Sequence, residues 1–107
     1  MDDVALIETD FVPPGTVLRV DVDGYPPLAV FNVDGEFLVC ADTCSHGQAS
    51  LSEGTVEGAT IECPWHSGVF CVRTGAALSP PPVAPIAVYP VHLRDGQVCI
   101  AAPRKNP

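Results

Sequence analysis

Proline and glycine interrupt this chain at short intervals, and they constrain its fold more than any other feature of the sequence. Twelve prolines and nine glycines stand among 107 residues. Proline lacks a backbone N–H and glycine is entropically costly to order, so both disfavour helix interiors. Hydrophobic residues make up 47% of the chain and charged residues 17%, which indicates a folded protein. One loop-rich β domain, residues 1–107, is therefore expected.

Short β-rich runs bounded by turn residues recur along the chain. They predict strands at 4–9, 16–22, 28–33, 36–40, 60–62, 69–72, 86–93 and 97–101. Asp34-Gly35 and Asp95-Gly96 predict hairpin turns, because Gly adopts positive φ freely and Asp tolerates it better than most residues. Pro90 lies inside one run and predicts a sheet edge or a bulge there. The predicted fold class is all-β and antiparallel, with a loop-rich insertion between the strands.

The charge of the chain limits its partners. Its formal net charge is −8, from 13 acidic and 5 basic residues. Nucleic acids and anionic membranes need clustered Lys and Arg, so we expect neither as a partner. No stretch approaches the roughly 20 apolar residues of a membrane helix, and the start of the chain shows no basic segment of a signal peptide. A monomer in the cytoplasm is expected.

The cysteines do not indicate a disulfide framework. There are five of them, an odd number, at positions 40, 44, 63, 71 and 99, with no secretory leader in view. Cys40, Cys71 and Cys99 stand in apolar runs, where a cysteine is usually a small core residue. His92 lies in a predicted strand, and it is likewise expected to be structural.

Two short segments each combine a cysteine with a histidine. Residues 44–47 read C-x-H-G, residues 63–68 read C-x-x-H-x-G, and sixteen residues separate His46 from Cys63. Two thiolates and two imidazoles suit either zinc or an iron–sulfur cluster. A zinc knuckle usually pairs like with like, whereas a two-iron cluster gripped by two loops takes one ligand of each kind from each loop. Spacing alone leaves both readings open for the candidate ligands Cys44, His46, Cys63 and His66.

These segments resemble the paired C-x-H and C-x-x-H motif of Rieske proteins. The sequences Ala-Ser-Leu-Ser-Glu-Gly at 49–54, Arg-Thr-Gly at 73–75 and Ser-Pro-Pro-Pro at 79–82 are similar to those of ferredoxin components of bacterial aromatic-ring dioxygenases. The resemblance covers nearly the whole chain. It implies a Rieske fold, in which an antiparallel β sandwich or barrel carries a loop-rich cluster-binding subdomain, here at about 41–82.

The resemblance also implies a ligand set and a role. Cys44 and Cys63 would bind the inner iron of one [2Fe–2S] cluster, and His46 and His66 the outer iron near the surface. The protein would pass single electrons from a flavin-dependent reductase to a terminal oxygenase that dihydroxylates an aromatic ring, without catalysing a reaction itself. Two alternatives stay open: a Rieske-like small subunit of another redox enzyme such as nitrite reductase, and a zinc-binding interaction module.

The subtype follows from four further positions. High-potential Rieske proteins resemble C-T-H-L-G-C and C-P-C-H-G-S-x-Y, and their two additional cysteines form a disulfide. Here Ala49 and Trp65 stand at those cysteine positions, so that disulfide is impossible. Gly68 and Phe70 replace the Ser and Tyr hydroxyls that lie near the sulfurs in that pattern. Fewer donors make an added electron less favourable, which predicts a reduction potential near the low end of the Rieske range, on the order of −150 mV.

Acidic residues dominate the stretch from 36 to 72. It contains Glu36, Asp42, Glu53, Glu57 and Glu62 but neither Lys nor Arg. We therefore expect a negative potential at the cluster end and partners with basic, partly apolar docking surfaces. Electron-transfer encounters should weaken as salt is added.

Overall fold

A computed structural model of the chain describes residues 3–43, 49–64, 68–78 and 84–101. Those residues form β1 Asp3–Glu8, β2 Val17–Val20, β3 Leu28–Val33, β4 Glu36–Ala41, β5 Thr55–Glu57, β6 Thr60–Glu62, β7 Val69–Cys71, β8 Val88–Tyr89, β9 Val91–Arg94 and β10 Gln97–Ala101. Their helical elements are two 3₁₀ turns, at Thr9–Phe11 and Leu51–Glu53. Within these ranges no helix has the length and apolarity to cross a bilayer. The predicted all-β class is confirmed.

The strands form three antiparallel sheets. The terminal sheet has the order β1-β10-β9, the central sheet β2-β3-β4-β8 and the loop sheet β5-β6-β7. All six residues of β3 are buried, because this strand is covered on both faces of the central sheet. A strand covered on both sides reads as a nearly continuous apolar run. Leu28–Val33 does so except at Asn32, whose side-chain amide donates to the Val12 carbonyl at 2.7 Å.

Alternate residues of β3 enter two different cores. Leu28 and Val30 pack in a cluster with Val98 and Ile100 of the terminal sheet. Ala29 and Phe31 pack on the opposite face, in a second cluster that we call the loop core. The loop core also contains Cys40, Ala49, Leu51, Ile61, Cys63, Phe70, Val72 and Ile86. The central sheet thus connects the terminal sheet to the loop sheet.

Both predicted hairpin turns are confirmed. Asp34 and Gly35 have φ values of 53° and 94°, and Asp95 and Gly96 have values of 53° and 75°. Two consecutive residues with positive φ make the type of two-residue turn that matches the twist of the flanking strands. The first turn joins β3 to β4 and the second joins β9 to β10.

The prediction of one strand at 86–93 is wrong. Pro90 divides that run into β8, which pairs with β4 in the central sheet, and β9, which pairs with β10 in the terminal sheet. Proline cannot donate to a ladder, so the chain changes sheets at this residue. Both strands lie at sheet edges, which confirms the edge position predicted from Pro90.

Strand β5 was not predicted, and its neighbourhood explains how it forms. Gly54 precedes it, and a Cβ atom at Gly54 would overlap the backbone carbonyl of Glu62 on β6. The missing side chain lets the two segments approach closely enough to pair.

The predicted subdomain at about 41–82 contains the loop sheet, but its limits and the single-domain assignment stay predictions. The proline run 79–82 lies outside the described residues.

Candidate metal centre

The second predicted ligand loop is the turn of the β6–β7 hairpin. Cys63 directly follows β6 and Gly68 directly precedes β7. The Cys63 N–H donates to the Gly68 carbonyl at 2.7 Å, and Glu62 pairs with Val69 one step further along the ladder. The Cys63 side chain is a free thiol and only 1% exposed. The hairpin therefore holds a buried sulfur at one end of this loop.

The first predicted ligand loop follows β4, and both of its ends are tied together. Thr43 and Ser50 form an antiparallel bridge, and the Leu51 N–H donates to the Asp42 carbonyl at 2.6 Å. The Asp42 carboxylate accepts a hydrogen bond from the Ser50 hydroxyl and another from the Ser52 N–H, the latter at 2.7 Å. Backbone and side-chain hydrogen bonds thus close the loop on either side of its predicted ligands.

A third segment runs beside the same hairpin. Ala77 forms an isolated antiparallel bridge with Phe70, and the Leu78 N–H donates to the Val69 carbonyl at 2.7 Å. The Leu78 side chain is 55% exposed and directly precedes the proline run. The bridge therefore directs the chain from β7 toward the ligand loops just before residues 79–82.

The loop core supports all three segments. Ala49 at the end of the first loop, Cys63 at the start of the second and Phe70 on β7 belong to this one cluster, and Ala77 packs against it. Such packing gives loops a rigid base from which they can present functional groups. The structure therefore brings together the bases of two loops that are separated along the chain.

Of the four predicted ligands, only Cys63 lies within the described residues. Cys44, His46 and His66 lie outside them, so the ligand set stays a prediction. Among the described residues, no group of three or more His, Cys, Asp or Glu side chains could hold a metal ion. Cys63 fits the expected group by its chemistry, because a buried thiol provides the soft sulfur donor that an iron–sulfur cluster requires.

The remaining cysteines differ from one another. Cys40 and Cys99 are buried, which confirms them as core residues. Burial, and secondarily the negative charge of Asp42, raises the pKa of Cys40 to about 12, so this thiol stays protonated at neutral pH. The core assignment of Cys71 is wrong. Its side chain is partly exposed because it points to the face of the loop sheet opposite Phe70, and hydrogen bonding with Thr74 lowers its pKa.

His92 lies on β9 and makes a structural contact, as predicted. Its Nε2 atom is 2.5 Å from Oδ2 of Asp3, and Arg94 donates to the same oxygen at 2.6 Å. This cluster belongs to the terminal sheet, whereas both ligand loops rest on the loop core. His92 is therefore not a candidate ligand.

Two of the five acidic residues between 36 and 72 do not act as predicted. Glu36 forms an ion pair with Arg73, a residue just beyond the end of that stretch. Asp42 is 1% exposed and lies beneath the first ligand loop instead of on the surface. The prediction from sequence counted Asp42 only among the charges of the surface. Its position two residues before Cys44 was the signal that could have indicated a role at the loop.

Three acidic residues do remain at the surface, and we call them the acidic face. They are the exposed Glu53 and Glu57 and the half-buried Glu62. Glu57 and Glu62 alternate along their strands with the buried or partly buried Val56 and Ile61, so they share the outer face of the loop sheet. Within the described part of the chain, no ion pair joins these three glutamates to a basic residue.

Comparison with known proteins identifies the family. Residues 2–90 match the Rieske [2Fe-2S] domain. The 3-phenylpropionate/cinnamic acid dioxygenase ferredoxin subunit of Escherichia coli (strain K12) is 48% identical over 97 residues, which is 90% of each chain.

Solved structures agree with this assignment. The ferredoxin of Sphingomonas yanoikuyae B1 is 43% identical, with a TM-score of 0.93 over 95% of this chain and 100% of that one. A chain in a complex of reduced oxygenase and oxidized ferredoxin in carbazole 1,9a-dioxygenase is 42% identical, with a TM-score of 0.88 over 98% and 97% of the two chains. This chain therefore belongs to the Rieske [2Fe–2S] family, as a ferredoxin that uses a Rieske-type cluster to transfer electrons and is not itself an enzyme.

Proposed function

We propose that this ferredoxin carries single electrons from a flavin-dependent ferredoxin reductase to a terminal oxygenase that dihydroxylates an aromatic ring. The observation that supports this role is its similarity, over 90% of both chains, to a dioxygenase ferredoxin subunit. Substrate choice would then be a property of the oxygenase.

We propose Cys44 and Cys63 as ligands of the inner iron, and His46 and His66 as ligands of the outer iron. The buried thiol of Cys63 supports this assignment, because the inner iron needs a sulfur donor on the protein side. When bound, the cluster supplies one-electron redox chemistry. The loop core keeps water away from the sulfur side, and the two tied loops hold the ligands in place.

Charge complementarity would bring the partners together. Each arginine of the described residues is paired within the chain: Arg19 with Asp21, Arg73 with Glu36 and Arg94 with Asp3. The glutamates of the acidic face have no such pairing among these residues. The field around the ligand loops is therefore negative, and it would speed the approach of a basic partner surface.

Apolar side chains beside the loops complete the proposed docking surface. Leu78 is 55% exposed and Pro64, within the second ligand loop, is also exposed. Exposed apolar groups next to a charged rim are typical of transient protein interfaces. Such an interface releases its partner readily, which a shuttle serving two enzymes in turn requires.

Reconstitution tests the role directly. The cluster-loaded protein is mixed with the flavin reductase, its reductant and the oxygenase of an aromatic dioxygenase system. Reduction by the reductase, reoxidation by the oxygenase and product formation that depends on the ferredoxin are expected. A loaded protein that copurifies with one large redox enzyme and never exchanges electrons with an oxygenase would indicate the fixed-subunit alternative. Zinc without acid-labile sulfide would indicate the interaction module.

We further propose that the carrier is a monomer in the cytoplasm. Cys40, Cys71 and Cys99, the described cysteines outside the proposed ligand set, are in no disulfide, which supports a reducing compartment. Size-exclusion chromatography with light scattering measures the mass of the loaded protein, and the expected value is close to 11.2 kDa. A stable dimer at micromolar concentration would contradict this assignment.

A further inference from the structure

Among the described residues, Asp42 is the one buried acidic side chain, at 1% exposed. It follows β4 directly and stands two positions before Cys44. A buried carboxylate is costly unless its oxygens are well satisfied. Its surroundings therefore show what this residue does.

Hydrogen bonds hold Asp42 in one orientation. Its Oδ1 accepts from the Ser52 N–H at 2.7 Å, and its Oδ2 accepts from the Ser50 hydroxyl. Its backbone N–H donates to the Pro27 carbonyl at 2.9 Å, and its carbonyl accepts from the Leu51 N–H at 2.6 Å. Donors directed at both carboxylate oxygens stabilise the anion without cancelling its charge.

Among the residues that the structure describes, no basic side chain forms an ion pair with Asp42. The arginines within the described ranges, Arg19, Arg73 and Arg94, are all paired with other acidic residues. The charge of Asp42 also acts on Cys40, whose pKa it helps to raise. A charge that is buried, fixed and uncompensated acts over longer distances than an exposed one, because water does not screen it.

We propose that the Asp42 carboxylate lowers the reduction potential of the cluster held by the adjoining loop. The inference rests on the proposed ligand set and deepens the proposed function. Reduction adds one electron from the reductase flavin, and no bond forms or breaks. A neighbouring anion makes the addition of that electron less favourable. Two residues span at most about 7 Å between their Cα atoms, so Asp42 lies close to the first predicted ligand.

Asp42→Asn tests the proposal, because it removes the charge and keeps nearly the same shape. Two unit charges about 10 Å apart, at an effective dielectric constant of about 20, change an equilibrium constant on the order of tenfold. The equilibrium constant for reduction should therefore be on the order of tenfold larger in the variant. This corresponds to a reduction potential about 59 mV higher for a one-electron couple. The potential is measured on the isolated ferredoxin by dye-mediated titration, so no reductase or oxygenase is needed. A failure of the shuttle proposal therefore leaves this result intact.

Two matched variants separate charge from loop geometry. Ser50→Ala removes a hydrogen bond to Asp42 but keeps the charge, so the potential should not rise. Asp34→Asn removes an exposed charge at the β3–β4 turn, and Asn tolerates the positive φ there. It should change the reduction equilibrium less than twofold. Electron paramagnetic resonance of each reduced variant checks that the ligation is unaltered.

Each outcome decides the question. The electrostatic role is supported if the reduction equilibrium of Asp42→Asn shifts on the order of tenfold while its electron paramagnetic resonance spectrum is unchanged, and if the potential of Ser50→Ala does not rise. A loaded Asp42→Asn protein with the wild-type potential overturns it. Should that variant fail to bind the cluster, Asp42→Thr provides a second neutral side chain. Loss of the cluster in both variants overturns the proposal in favour of a purely structural role for the carboxylate.

Discussion

The imidazole of His92 on β9 lies 2.5 Å from the carboxylate of Asp3 on β1, although β10 separates the two strands. Arg94 donates to the same carboxylate oxygen at 2.6 Å. Hydrogen bonding with His92, with smaller electrostatic contributions from His92 and Arg94, lowers the pKa of Asp3 below its ordinary value of 3.8. The contact therefore fastens the first described strand across the terminal sheet.

This contact predicts an acid-dependent loss of stability. Because the pKa of Asp3 is lower in the folded protein, its stabilising contribution is complete above about pH 4 and disappears as pH falls through the folded-state value. Asp3→Asn should be less stable than wild type at pH 6, and the difference should narrow below pH 4. Denaturant unfolding followed by circular dichroism measures it. Asp23→Asn, at an exposed position, serves as control. A difference in the free energy of unfolding between Asp3→Asn and wild type that is the same at every pH would contradict the prediction.

The proposed ligands predict which substitutions remove the chromophore. Cys63→Ser should lose the cluster, because a serine oxygen is a poor replacement for a thiolate on iron. Cys71→Ser is the matched control outside the ligand loops and should keep the visible spectrum. Replacing His46 and His66 together by Ala should also abolish the colour. A coloured double-histidine variant would refute the ligand set.

The reduction potential of the wild type should lie near the low end of the Rieske range, on the order of −150 mV. Phe70 is fully buried in the loop core, and Gly68 has no side chain, so neither position provides a hydroxyl. Redox titration followed by visible absorption measures the potential. A clearly positive value would rule out the low-potential subtype.

Neutralising the acidic face should slow docking. Glu57→Gln combined with Glu62→Gln should lower the association rate with the oxygenase about threefold at low salt, because less charge steers the encounter. The difference should shrink as salt is added. Stopped-flow kinetics of electron transfer measure both effects. The control combines Asp34→Asn with Asp95→Asn, which removes two exposed charges at the hairpin turns. Rates that are insensitive to ionic strength would contradict electrostatic steering.

Gly75 should be more sensitive to substitution than other turn glycines. It has a φ of +83°, and a Cβ atom there would overlap the backbone carbonyl of Ile86. Gly35 also has a positive φ, but open space surrounds its Cβ position. Gly35→Ala should cost about 1 kcal/mol from backbone strain alone. Gly75→Ala should cost about 2 kcal/mol or more, and equal losses on chemical denaturation would refute the difference.

Features set by neighbours along the chain were predictable. The dipeptides Asp34-Gly35 and Asp95-Gly96 form their turns because local φ preferences decide them. The pairing of Cys with His in each of two loops led to the family, because ligand chemistry is a property of residue type. The run 86–93 was misassigned, since its residues suit a strand on either side of Pro90 and only the sheets determine where each half pairs.

The environment of individual side chains depended on contacts between distant segments. Asp42 and Glu36 look alike in the sequence, yet the first is buried beneath a ligand loop and the second forms an ion pair with Arg73. Residue identity by itself thus determined the all-β class, the two turns and the candidate ligands. Tertiary structure decided which charges are buried, paired or left exposed, because burial and electrostatic partners exist only where segments far apart in the chain come into contact.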